Sequence, residues 1–241
     1  MRPLLGLSLR QMLGGRRLLL LLLLAALPVA IAVINTAVAD EGDSIVDGFV
    51  NGLLDGMIVA AILPIVTMAL ATSAFGDEIE DRTLGYLVLK PVPRWHIVLP
   101  KLMASVIVSG PLIVASGVVA AVIGIEAGAQ PALAVGVALA AGVIAYASIF
   151  TWAGLVTSHA LGFALVYVIL WEGVLSSFLP GVRYLSVRGY ALGILHGLDG
   201  GSFETIADRV IEFPAAIAGA IAVTAVFALL TLRRLRRMDI P

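Results

Sequence analysis

The chain has 241 residues, 61% of them apolar and 13% charged, with a mean hydropathy of +1.08. Soluble domains carry roughly 25% charged residues, so this composition excludes a soluble globular protein and indicates an integral membrane one. The formal net charge of -1 hides an uneven distribution of charge along the chain, and the absence of cysteine excludes disulfides, thiolate metal sites and cysteine nucleophiles.

Residues 1–17 mix Leu4, Leu5, Leu7, Leu9, Met12 and Leu13 with Arg2, Arg10, Arg16 and Arg17. That pattern fits a short amphipathic helix lying on the inner membrane surface, or a basic flank that only sets topology. An apolar run follows from Leu18 to Ala39 and ends in Ala37-Val38-Ala39, which has the form of a signal cleavage site. The run is longer than the 7 to 15 residues of a signal core, so it is expected to stay as a span.

Crossing about 30 Å of hydrocarbon takes roughly 20 apolar residues in a helix. Five further stretches qualify: Leu53 to Phe75, Leu102 to Ile125, Ala132 to Val156, Leu161 to Leu179 and Pro214 to Leu232. No strand-like alternation competes, so the expected fold is an all-α integral membrane protein, a single bundle of six transmembrane helices over residues 1–241. Pro64 and Pro111 are expected to kink the second and third spans. Asp55 and Lys101 fall near span ends, where they read as boundary charges. Small-residue spacings such as Gly136 with Ala140 and Ala215 with Gly219 allow close helix contact but assign no dimer face in a chain this rich in Ala and Gly.

Orientation follows from the basic residues, which are retained on the cytoplasmic side. With six spans, both termini share a side with residues 76–96. Of the 15 basic residues, only Arg183, Arg188 and Arg209 fall on the other side, along with the acidic first loop of Asp40, Glu41, Asp43 and Asp47. Both termini are therefore expected in the cytoplasm. The outer loop, 180–213, is rich in Gly and offers Ser202 as a helix N-cap before Phe203 to Phe213. It reads as a partly helical, partly re-entrant cap, either a structural lid or a substrate-shaping element.

The loop at 76–96 is the most polar interruption of the chain. Asp77, Glu78, Glu80 and Asp81 would crowd the first turn of a helix that Pro91 and Pro93 end. Ile79, Thr83, Tyr86, Leu87 and Lys90 recur on one face. Such a helix would either enter a groove on a soluble partner or lie at the interface and orient the second and third spans.

Glu172 is the one acid placed clearly inside a span, where an unpaired charge costs about 2.5 to 3.5 kcal/mol. It would pair with Arg183 or Arg188, or line a translocation path. His96, His159 and His196 fall in different loops and form no metal set. Neither Ser109-Gly110 nor Ser116-Gly117 has a histidine beside it for serine proteolysis.

The run Glu78-Ile79-Glu80-Asp81-Arg82-Thr83-Leu84, followed by Pro91-Val92-Pro93-Arg94-Trp95 and Lys101, resembles the first cytoplasmic loop of type-2 ATP-binding-cassette (ABC) transporter permeases. The span count, the basic entry and the long outer loop resemble that family as well; Arg82 stands where the family usually has Gly. The resemblance implies an exporter permease in a prokaryotic inner membrane, dimerising with a second copy or a homologous permease. It would work by alternating access, with Glu78, Ile79, Glu80, Thr83, Leu84, Tyr86, Leu87, Pro91 and Arg94 in a coupling helix seated on a cytoplasmic ATPase. No G-x-x-x-x-G-K-[ST] motif occurs, so ATP and Mg would be bound by that partner and this chain would be no enzyme. Besides these subunits only membrane lipids are expected as partners, and no nucleic acid. A membrane transport subunit for haem or cofactor maturation and a non-transporting anchor or assembly factor are the alternatives.

Overall fold

The computed structural model describes residues 2–12, 14–38, 48–80, 93–124, 128–157 and 159–237. Among them there is no strand. Helix α1 (Arg2–Met12) is amphipathic as its sequence predicts and packs against the third apolar helix, burying Ser8 and Met12. α2 is Gly15–Val38. α3 begins at Phe49 with wide π-type turns to Ile62 and continues as α-helix over Leu63–Ala71 and Ser73–Glu80. Pro64 stands where the wide turns become α-turns, a position at which a missing amide N–H disturbs the pattern least.

α4 (Trp95–Gly124) and α5 (Ala129–Val156) follow, then the shorter apolar helix α6 (Ala160–Leu175), which is extended by Ser176–Phe178. After a 3-10 turn at Pro180–Leu185 come α7 (Val187–Leu198), a second 3-10 turn at Glu204–Arg209, and α8 (Phe213–Arg236). Among the described residues, α2, α3, α4, α5 and α8 are long and apolar enough to cross a membrane. α6 is 16 residues by its bounds, about 24 Å at 1.5 Å per residue, short of the roughly 30 Å core.

The core is built around α3 and α5: within the most apolar 18-residue window of each, 67% is buried, against 22% for α2 and 17% for α8. α5 touches α3, α4, α6, α7 and α8, so it is the post around which the others stand. Without a hydrophobic force between helices in lipid, such packing depends on close backbone approach. Gly154 of α5 shows it: a Cβ there would collide with the Thr72 carbonyl oxygen of α3.

Two markers define the ends of the bundle. At one, Phe75, Ile97, Val98, Leu155 and Leu235 form a separate buried cluster that gathers the end of α3, the starts of α4 and the ends of α5 and α8. At the other, Phe49 packs on Gly124 and Asp55 meets Arg188. α6 therefore carries the chain from the Leu155 end to the Asp55 end, and α8 brings it back.

The outer segment differs from its sequence reading. Its longest helix, α7, precedes Ser202, and the stretch expected to be helical from Phe203 to Phe213 holds only the 3-10 turn at Glu204–Arg209. Ser202 donates its N–H to Asp199 Oδ1 at 3.3 Å, and the N-cap of α7 is Ser186, whose hydroxyl accepts from the Gly189 N–H at 3.0 Å.

Candidate functional site: two buried charge sites at opposite ends

The first site closes the base of the 76–96 loop. Lys101, in the second turn of α4, points its ammonium back at the end of α3. Its Nζ lies 2.7 Å from Glu78 Oε1, donates to the Ala74 carbonyl and sits 4.7 Å above the Phe75 ring. The two side chains are 4% and 10% exposed, so this is a buried pair. Lys101 thus corrects the boundary-charge reading: it does not snorkel out but turns inward, because a carboxylate, a carbonyl and an aromatic face are already collected there.

The acidic run also begins differently from its sequence reading. Among the described residues Asp77, Glu78 and Glu80 fall in the second half of the helical stretch Ser73–Glu80 that continues α3, and not in a first turn. Ile79 packs against the cluster of Phe75, Ile97, Val98, Leu155 and Leu235. Asp77 lines a cleft of about 270 Å³ with Arg17, Thr72, Ser73, Ala160 and Leu161, where α2, α3 and α6 meet. Arg94 sits in the turn that starts α4, its carbonyl accepting from the Ile97 and Val98 N–H groups at 3.0 and 3.1 Å. Thr83, Leu84, Tyr86, Leu87 and Pro91, and with them the body of the expected coupling helix, lie outside the described residues.

The second site is at the other end. Glu172 of α6 is 1% exposed and is surrounded by donors from the outer segment. Its Oε1 accepts from the Val187 N–H at 2.9 Å and from the Tyr167 hydroxyl at 3.1 Å. Oε2 accepts from the Ser186 hydroxyl and from the Arg188 N–H at 3.3 Å. The carboxylate therefore caps the first turn of α7, satisfying orphan amides with a charge that the helix dipole favours.

The expected pairing of Glu172 with an arginine side chain is thus replaced by two backbone amides and two hydroxyls. The arginine instead finds Asp55, the other residue read as a boundary charge: Arg188 Nη2 and Nε reach Asp55 Oδ1 at 2.7 and 2.9 Å. Arg209 Nη1 is 3.9 Å from Asp55 Oδ2, and its Nη2 donates to Asn51 Oδ1. Asp55 is buried because the outer segment folds over the start of α3 and brings its own cations. Around these groups is a cleft of about 160 Å³. The sequence signal for Asp55 and Lys101 was the one that singled out Glu172, a charge within an apolar window, but their position near a span end masked it.

Among the described residues no group of His, Asp and Glu has the arrangement of a metal site. The family described as ABC-2 family transporter protein matches residues 15–195, three quarters of the chain, and the protein belongs to that family. It is a multi-pass membrane transport protein of the ABC-2 permease type. A comparison with curated proteins finds no match.

Proposed function

We infer that this chain is the permease subunit of an ATP-driven exporter in a prokaryotic inner membrane. Six spans cross the bilayer, α6 being the fifth, and both termini face the cytoplasm. Family membership and the strong bias of basic residues toward the termini and the 76–96 loop support this reading. The subunit works as a dimer, with a second copy or a homologous permease, on cytoplasmic ATPase subunits that bind ATP and Mg.

The observation that carries the reading is the buried Glu78–Lys101 pair at the base of the loop. A loop that transmits force has to be stiff where it joins the bundle, and this pair ties the last turn of α3 to the second turn of α4. In this scheme Glu78, Ile79 and Lys101 are positioning residues. Glu80, Thr83, Leu84, Tyr86, Leu87, Pro91 and Arg94 belong to the part that meets the ATPase. Closure of two ATPases then displaces α3 and α4 together and rocks each bundle between inward and outward states. Glu172 acts as a structural cap for α7 and does not line the path.

The test is co-purification of the detergent-solubilised chain with a candidate cytoplasmic ATPase subunit from the same source, comparing wild type with Thr83→Pro and Lys101→Met. Retention of the folded permease with loss of ATPase association or of substrate-sensitive hydrolysis in Thr83→Pro supports the coupling role. No ATPase association in wild type would leave a non-transporting anchor as the reading.

A further inference from the structure

The cleft of about 160 Å³ at the Asp55 end is lined by Asp55, Ser176, Arg183, Ser186, Arg188 and Arg209, and among the described residues that line it cations outnumber carboxylates. Arg188 is matched by Asp55 at 2.7 Å, whereas Arg209 is only 3.9 Å from the same carboxylate. Among the described residues Arg183 donates to backbone, through Nε to the Ser176 carbonyl and Nη1 to the Arg209 carbonyl, both at 3.4 Å. Three guanidinium groups thus share one carboxylate among the described lining residues. Glu172 does not redress this, since its oxygens are occupied by Tyr167, Ser186 and the amides of Val187 and Arg188. Both serine hydroxyls already donate to Glu172, so the arginines are the donors free to face a ligand.

The rim supplies a second, independent observation. The segment that brings Ser176 and Arg183 to the cleft also exposes Phe178, Leu179, Tyr184 and Leu185. Apolar and aromatic side chains beside a cationic hollow match the two parts of an amphiphile, an acyl chain along the wall and an anionic head inside. Paired planar guanidinium groups select oxyanions of the phosphate type through forked hydrogen bonds. A cleft of about 160 Å³ is large enough to admit a phosphate group.

We propose that this cleft binds a phosphate group, Arg183 and Arg209 clamping its oxygens while Arg188, held by Asp55, forms the back wall. The proposal stands apart from the exporter reading, because it requires neither an ATPase nor transport.

Native mass spectrometry of the full-length protein in detergent tests it, titrating phosphatidic acid against diacylglycerol of the same chain length. Saturable binding of phosphatidic acid, no comparable binding of diacylglycerol and a weakening of about tenfold in Arg183→Gln and in Arg209→Gln support the site. Arg183→Lys, which keeps the charge but loses the guanidinium fork, binds more weakly than wild type and more tightly than Arg183→Gln, and Arg234→Gln at the opposite end leaves binding unchanged. Millimolar inorganic phosphate that displaces the lipid identifies a site open to free anions; failure to displace it identifies a lipid headgroup as the source. Equal binding of the two lipids, or wild-type affinity in both glutamine variants, overturns the proposal. Arg209 is half exposed, so its variant keeps the test sound if Arg183→Gln does not fold.

Discussion

The two ends of this bundle each bury an ion pair, but they close different distances in the chain. Glu78 and Lys101 are 23 positions apart and flank a single loop, so their pairing staples the exit of one helix to the entry of the next. Asp55 and Arg188 are separated by 133 positions and join the start of α3 to the segment between α6 and α8. The first contact is local reinforcement of a hairpin, the second a tertiary clasp that holds a separate cap on the bundle. Under the proposed coupling, the staple at the loop base would carry motion into the bundle and the clasp would hold the cap still.

The contrast can be broken most forcefully at Glu172. Glu172→Leu leaves the Ser186 hydroxyl and the amides of Val187 and Arg188 buried without an acceptor, and we expect a loss of about 3 to 5 kcal/mol, read as a fall in thermal midpoint in detergent. Glu172→Gln, which keeps one carbonyl acceptor, should recover part of that loss. If the leucine variant melts with wild type, the cap is not held by this carboxylate.

At the other end, Lys101→Met should cost about 3 kcal/mol by removing the buried ammonium beside the Glu78 carboxylate. Adding Glu78→Gln should return much of it, a coupling that a double-mutant cycle measures directly. Absence of coupling would mean that the two residues act separately. Substrate-stimulated ATPase activity should fall in Lys101→Met and stay near wild type in Asp55→Asn, because only the former loosens the loop base.

Asp55→Asn is expected to cost less, about 1 to 3 kcal/mol, since Arg188 is 21% exposed and water replaces part of what it loses. The smallest effect should be that of Arg209→Gln on stability, below about 1 kcal/mol, because a half-exposed arginine at 3.9 Å from its partner is largely screened. A larger loss there would make Arg209 a true partner of the clasp and not a group available to a ligand.

Much of the architecture was legible before any coordinates. Runs such as Leu18 to Ala39 and Ala132 to Val156 can satisfy their backbone in lipid only as helices, and the described helices Gly15–Val38 and Ala129–Val156 follow them closely. The amphipathic entry appears as α1. The fifth apolar run, Leu161 to Leu179, appears as α6 and its extension to Phe178, with wide π-type turns over Val168–Leu175.

The partners of the charges were not legible. A carboxylate in an apolar window announces that it must be satisfied, but Glu172 found backbone amides of α7, while the arginine expected for it went to Asp55. Likewise Ser202 has the form of a helix cap, yet the helix starts at Ser186 because an acid from another element supplies the missing acceptor. Spans and their sidedness depend on composition over about 20 residues, a property each segment carries by itself in lipid. Which buried charge meets which donor depends on how those segments are brought together: α6 delivers Glu172 to α7, and the fold of the outer segment delivers Arg188 to Asp55.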